Sequence, residues 1–335
     1  MLFMAPQAWQ MTSEVECPHL GTNYLRGRST PPGDKLPQRS IDHDVAGIFK
    51  ERPLGVAITP AIWYNKWEYV TDNDWPNENR QSIYASFTGS GPGFVGPMED
   101  VMAQIIRIDE KTVRIEDGGV RFFLLEGTEK ALLVDTGMNT PDAKAIAESL
   151  TTLPLSLINT HADRDHISGN SLFDTFYMSP AEAENYASGT QQPVSDIRAK
   201  ILPVQEGDLI DLGDRPLLVI DNPGHTPGSI AILDVKNRVL IGGDSIQDGN
   251  IFLFGKYRNI DQYVGSLKHI REYGDRFDVV YPSHGTFPVK PELIEDLIDG
   301  AQKIIAGAAE STVTEWFGMK IRQFRFPYAG FLCDL

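Results

Sequence analysis

Residues 160–166 read Thr160-His161-Ala162-Asp163-Arg164-Asp165-His166 and close the apolar stretch Leu155-Ser156-Leu157-Ile158-Asn159. Two imidazoles and two carboxylates fall within six residues at the end of a strand-like run. A turn that only caps the next helix needs one such side chain. Imidazole together with carboxylate suits zinc, iron or manganese. The carboxyl end of a strand is also where open α/β sheets place their sites.

Working outward, three more segments repeat the arrangement. Asn222-Pro223-Gly224-His225-Thr226-Pro227-Gly228 follows the run Leu217-Leu218-Val219-Ile220-Asp221. Gly242-Gly243-Asp244 follows Arg238-Val239-Leu240-Ile241, and Pro282-Ser283-His284-Gly285 follows Asp278-Val279-Val280-Tyr281. Each is weak alone, because a lone histidine after a strand is more often a satisfied polar residue. Together they gather four of the seven histidines at strand ends, each with glycine nearby to permit a tight loop.

The surrounding pattern predicts a layered α/β architecture. Short strands are expected at 101–108, 112–117, 120–127 and 130–137, separated by glycine or charged turns. Thr140-Pro141 is read as a helix start with Thr140 as N-cap, and Ser179-Pro180 as another. Val264, Leu267 and Ile270 lie at helical spacing, with Gly274 as the expected C-cap. A long helix is expected from Pro291, with Leu293, Leu297, Ile304 and Ile305 as its apolar residues. Residues 1–99 are rich in Pro, Gly and aromatics and read as an N-terminal extension: packing, a lid or pocket wall, or a dimer contact. Residues 311–335 read as an aromatic tail packed on the domain or a neighbour.

These motifs resemble the metallo-β-lactamase superfamily, whose usual pattern is His-x-His-x-Asp-His, then a distant His, an Asp and a final His. The chain offers His161, Asp163, Asp165, His166, His225, Asp244 and His284 in that order, with Asp135-Thr136-Gly137 upstream. The resemblance spans roughly residues 100–310. It implies a four-layer αβ/βα sandwich, with N- and C-terminal extensions in this chain. It also implies two divalent metal ions. One ion would take His161, Asp163 and His225; the other Asp165, His166 and His284; Asp244 would bridge them. Asp135 would orient a ligand from behind. Zinc is the expected ion, with iron or manganese as alternatives. The chain departs from the pattern at Asp163, which stands where the family has its second histidine and brings a harder, anionic donor.

The implied activity is that of a metallo-hydrolase using a metal-activated hydroxide, with Asp165 orienting the nucleophile and moving its proton. An ester, lactone or thioester of a small molecule is the expected substrate. Zinc β-lactamases of this fold generally lack an aspartate where Asp244 stands, so β-lactamase-like amide hydrolysis is an alternative only. The superfamily's diiron flavoproteins also carry a carboxylate at the second histidine, which makes a diiron oxidoreductase acting on oxygen or nitric oxide another. A metal-free binding protein is disfavoured by the nearly complete ligand set. Ser245 and Ser283 belong to no triad and read as structural.

Composition narrows the classes further. A net charge of −16 over 335 residues repels phosphate backbones and anionic membranes, so neither nucleic acid nor membrane is an expected partner. The first residues lack the basic and apolar pattern of a secretory signal, and no run approaches a membrane span. Cys17 and Cys333 read as unpaired thiols, with a disulfide between them as the alternative. A cytoplasmic protein is expected, and the aromatic-rich extensions suit a homodimer.

Overall fold

The computed structural model describes residues 103–335 other than Phe317, together with the short strand β1 (Ile83–Tyr84). What was expected of the rest of residues 1–99 lies outside the described residues, as does Cys17.

After β1 come β2 (Gln104–Asp109), β3 (Thr112–Asp117), β4 (Val120–Glu126) and β5 (Ala131–Val134), paired antiparallel in chain order. β6 (Leu155–Ile158), β7 (Phe176–Met178) and β8 (Ile201–Pro203) then add on parallel, completing an eight-stranded sheet. Parallel neighbours need long crossovers. Helix α1 (Ala143–Leu150) supplies the first, and α2 (Ala183–Thr190) with α3 (Val194–Lys200) the last. The crossover from β6 to β7 has no α-helix. It runs through two single 3₁₀ turns, Arg164–His166 and Asn170–Leu172, and contains the histidine–aspartate cluster.

The second sheet is built from β9 (Leu209–Asp211), β10 (Pro216–Asp221), β11 (Ile230–Asp234), β12 (Val239–Gly243) and, after β13 (Asn250–Leu253) and α4 (Ile260–Arg271), β14 (Val279–Pro282). Its order is β14-β12-β11-β10-β9, with β14 parallel to β12. Helix α5 (Leu293–Ile305) leads into β15 (Ser311–Trp316), β16 (Met319–Arg325) and β17 (Gly330–Cys333), which join β13 in a third sheet ordered β13-β17-β16-β15.

Side-chain alternation turns these sheets into layers. On β4, Phe122 and Leu124 face α1–α3, while Phe123 and Leu125 face the second sheet. β10 and β11 mirror this: Leu217, Val219, Ile230 and Ile232 face the first sheet, whereas Ile220, Ala231 and Leu233 face α4, α5 and the third sheet. Strands buried on both faces read as near-continuous apolar runs, which is why these segments were legible. The result is the expected α/β sandwich of helices, sheet, sheet and helices.

Local readings needed correction. Helix α1 begins at Ala143 with Asp142 at its N-cap, because the Ala143 amide closes a turn onto the Thr140 carbonyl. Ser179-Pro180 opens a 3₁₀ turn, Pro180–Glu182, before α2. Helix α4 ends at Arg271, and Gly274 instead starts a further 3₁₀ turn. On α5 the buried face is Ile294, Leu297, Ile298 and Ala301, leaving Ile305 exposed. Residues 311–335 pack on the domain, as one of the two expectations had it, but as three strands, with Phe324, Phe331 and the Cys333 thiol buried in the core beside α4 and α5. Among the described residues no helix is long and apolar enough to cross a membrane.

One buried arginine ties the two main sheets together. Arg215, just before β10, pairs with Asp234 on β11 at 2.8 Å. It also donates to the Lys111 and Glu126 carbonyls at 2.6 and 3.0 Å and to Thr112 Oγ1 at 2.8 Å in the first sheet. Arg215→Met strands a buried carboxylate and several acceptors. It should lower unfolding stability by about 3–5 kcal/mol in urea titrations; an unchanged midpoint would show that the clamp contributes nothing.

Candidate metal centre

Every candidate ligand sits on a loop leaving a strand end, and the strands belong to both main sheets. His161 and Asp163 follow β6, and Asp165 and His166 lie in the adjacent 3₁₀ turn. His225 follows β10, Asp244 follows β12 and His284 follows β14. A backbone hydrogen bond from Ile230 N to Thr160 O, 2.9 Å, joins the two sheet ends there. Gly224 holds φ +135°, and a Cβ at that position would overlap the Tyr263 backbone, so the His225 loop requires glycine.

The ligand atoms converge in two groups, His161, Asp163 and His225 in one and Asp165, His166, Asp244 and His284 in the other. Asp244 faces both. Its Oδ1 lies 3.2 Å from His166 Nε2 and 3.3 Å from His284 Nε2. Its Oδ2 lies 3.6 Å from His225 Nε2 and 3.9 Å from His161 Nε2. Asp163 Oδ2 is 3.3 Å from His225 Nε2, and Asp165 Oδ2 is 3.2 Å from His284 Nε2. All seven residues named from the sequence are thus brought together.

The outer nitrogens fix the tautomers. His166 Nδ1 donates to Asp135 Oδ2 at 2.9 Å, His225 Nδ1 to the Phe252 carbonyl at 3.0 Å, and His284 Nδ1 to the Gly119 carbonyl at 2.7 Å. Carboxylates and carbonyls only accept, so each Nδ1 carries the proton. Thr160 Oγ1 donates to Asp135 Oδ2 at 2.7 Å and accepts from His161 Nδ1 at 3.0 Å. Each Nε2 is left pointing inward. His161, His166 and His225 Nε2 and Asp244 Oδ1 are buried and make no hydrogen bond. Buried polar atoms are rarely left so. Inward imidazole nitrogens, each anchored from behind, together with carboxylate oxygens fit a divalent cation.

Sequence reasoning named Asp135 among the supports and missed the others. Asp135, at φ +66°, accepts from Thr160 N at 2.8 Å and so holds two histidines of the cluster at once, one directly and one through Thr160. Glu182, fully buried, accepts from Ala162 N at 2.9 Å and Gly228 N at 2.7 Å, locking the His161 loop to the His225 loop. Arg121 donates to the His284 carbonyl at 3.1 Å and the Gly285 carbonyl at 2.6 Å, holding the last loop. Asn185 and Arg258 both contact Asp163. Such contacts span up to 164 residues and leave no local pattern. The sole trace is Glu182 and Asn185 at i,i+3, which looks like an ordinary helical polar face.

The carboxylates set the protonation of the imidazoles around them, and burial pushes His166 down less than Asp244 and Asp165 push it up. For Asp244, burial opposes ionisation, but His284 and His166 outweigh it and hold the carboxyl well below its usual range. For His284, burial opposes protonation, but Asp244 and Asp165 raise its pKa to about 10. Burial and the neighbouring His166 lower His161 to about 4. The cluster calls for positive charge.

The sequence profile of the metallo-beta-lactamase superfamily matches residues 115–296, just over half of the chain. The chain belongs to this superfamily, and it is a metallo-hydrolase. Among curated relatives it is 30% identical over 199 residues to the acyl-coenzyme A thioesterase MBLAC2 of Homo sapiens, covering 48% of this chain and 71% of that one. It is 33% identical over 138 residues to a hydroxyacylglutathione hydrolase of Bdellovibrio bacteriovorus, covering 40% and 51%. Among solved structures, a metallo-beta-lactamase from Pontibacter korlensis matches with a TM-score of 0.50 at 17% identity, covering 60% of this chain and 99% of that one, a likeness of fold.

His284 gives a pH test in chelator-treated protein. A histidine whose pKa rises on folding from 6.5 to about 10 contributes stability that is complete below 6.5 and lost as pH climbs through about 10. The thermal midpoint of metal-free protein should therefore fall across that window. His284→Gln should flatten the slope; an unchanged slope would assign the effect elsewhere.

Proposed function

We propose that the chain hydrolyses a thioester of a small or medium-sized acyl compound, using two divalent ions held by the groups described above. The observation that carries the two-ion part is Asp244, a buried carboxylate whose two oxygens face two different histidine pairs. The thioester is supported by the names of the relatives, a thioesterase for acyl-coenzyme A and a hydrolase for hydroxyacylglutathione. Oxoesters and lactones present the same electrophilic carbonyl and belong to the same test.

His161, Asp163 and His225 would hold one ion; Asp165, His166 and His284 the other; Asp244 would bridge. Bound there, divalent ions would supply a hydroxide near neutral pH and would polarise the scissile carbonyl. The chain's residues do the rest. Asp135 and Thr160 keep the His166 and His161 rings in their ligating tautomers. Asp165, more exposed than Asp244, hydrogen-bonds the nucleophile and carries its proton toward the departing thiolate. Attack forms the carbon–oxygen bond, collapse breaks the carbon–sulfur bond, and the products are a carboxylate and a thiol.

The test is a panel of acyl-coenzyme A, hydroxyacylglutathione, oxoester and lactone substrates, run with zinc-, manganese- and iron-loaded protein. Thioesters should give the highest kcat/KM, chelation should abolish turnover, and Asp165→Asn should cut kcat by on the order of 10²-fold or more. Oxoester or lactone turnover without thioester turnover would move the substrate class. Native iron, with oxygen or nitric oxide consumption and no hydrolysis, would favour the diiron alternative suggested by the carboxylate at position 163.

A further inference from the structure

Asp163 is the one ligand position that departs from the superfamily's usual pattern, and in this chain a cation and an amide stand against it. Asp163 Oδ2, the oxygen nearest His225 and His161, is also in close contact with Arg258 Nη2. Asp163 Oδ1 accepts from Asn185 Nδ2 at 3.1 Å, and Asn185 is held by Glu182 Oε2 at 3.1 Å. Arg258 lies between β13 and α4, on a loop fixed to the His225 turn by Asn259 N donating to Gly224 O at 2.8 Å. The guanidinium is largely buried, with 15% of its side chain exposed, and it is aimed at one carboxylate oxygen.

Charge counting gives the pair a purpose. With histidine at 163 the ligand set would carry two carboxylates, Asp165 and Asp244, and two dications would leave the centre at about +2. With Asp163 the set has three carboxylates and the centre falls to about +1. A guanidinium cannot lose its proton in a protein, so Arg258 returns the centre to about +2.

We propose, resting on the two-ion reading above, that Arg258 is a positioning residue. It makes Asp163 the electrostatic equivalent of the missing histidine, and Asn185 restricts that carboxylate to one ligating oxygen. Positions 163 and 258 are then one functional unit. Histidine at 163 belongs with a neutral residue at 258, and aspartate belongs with a cation.

The test is a double-mutant cycle read as zinc affinity. Wild type, Asp163→His, Arg258→Met and the double variant are assayed for zinc per chain by elemental analysis. The weaker site's dissociation constant comes from competition with a chromogenic chelator at one fixed pH, and an unfolding midpoint monitors folding. Asp163→His alone leaves a buried guanidinium facing a dication and should weaken that site by about tenfold or more. In the double variant affinity should return to within about threefold of wild type. Arg258→Met alone should tighten zinc binding, and Arg258→Lys, which keeps a cation at the position, should tighten it less. An equal cost of Asp163→His with and without Arg258 overturns the proposal while leaving the two-ion centre intact. A wild-type chain holding fewer than two ions overturns the two-ion reading itself, and the compensation scheme with it. If Asp163→His fails to fold, the Arg258 pair decides: tightening by Met beyond that by Lys supports compensation, and equal weakening by both sinks it.

Discussion

Asp244 lies at the bottom of the centre, buried, with an imidazole pair against each of its oxygens. An ionised carboxylate removed from water costs several kcal/mol or more unless opposite charge meets it. Here the surrounding imidazoles are each committed on the outer nitrogen, so the inner nitrogens cannot turn away to satisfy themselves elsewhere. The cluster therefore has to be completed by cations, whether protons, metal ions or, at Asp163, a guanidinium. The raised pKa of His284 and the depressed one of Asp244 express that demand in protons. Metal binding would meet it by displacing those protons.

That demand is met only if loops from two sheets stay in register, and the fold spends its buried polar groups on this. Asp135 gathers Thr160 and His166, Glu182 bridges Ala162 and Gly228, and Arg121 grips the His284–Gly285 turn. Each of these joins segments far apart in sequence, and none touches the point where substrate would react. Loops held this way behave as part of the rigid scaffold, which is what preorganised electrostatics requires.

Much of this architecture was legible from residue order alone, for a physical reason. Strands such as β4, β5, β11 and β12 are covered on both faces, so they appear as uninterrupted apolar runs that stop where the ligating loops begin. The ligands were legible because their chemistry is restricted: few roles besides metal binding put His161, Asp163, Asp165 and His166 so close together. Capping was misread at Thr140 and Gly274 because turn geometry depends on which backbone amide closes onto which carbonyl. The third sheet was unread because the outer faces of β15 and β16 are solvated and its partner β13 lies far away in sequence. Arg258 was invisible for the same reason: its meaning comes only from a carboxylate 95 positions earlier.

The three aspartates of the cluster are not interchangeable, and their surroundings single out the proposed proton carrier. Asp244 is buried, with both oxygens faced by imidazoles, so a proton taken up there would abolish the proposed bridge. Asp163 has one oxygen against Arg258 and the other against Asn185, and protonating it would strand a largely buried guanidinium. Asp165 lacks those restraints. Its side chain is 29% exposed, the most of the three, and it lies next to His284, the most exposed of the ligating histidines. In the proposed reaction, a proton received by Asp165 on this exposed side would pass to the leaving group with Asp163 and Asp244 left ionised.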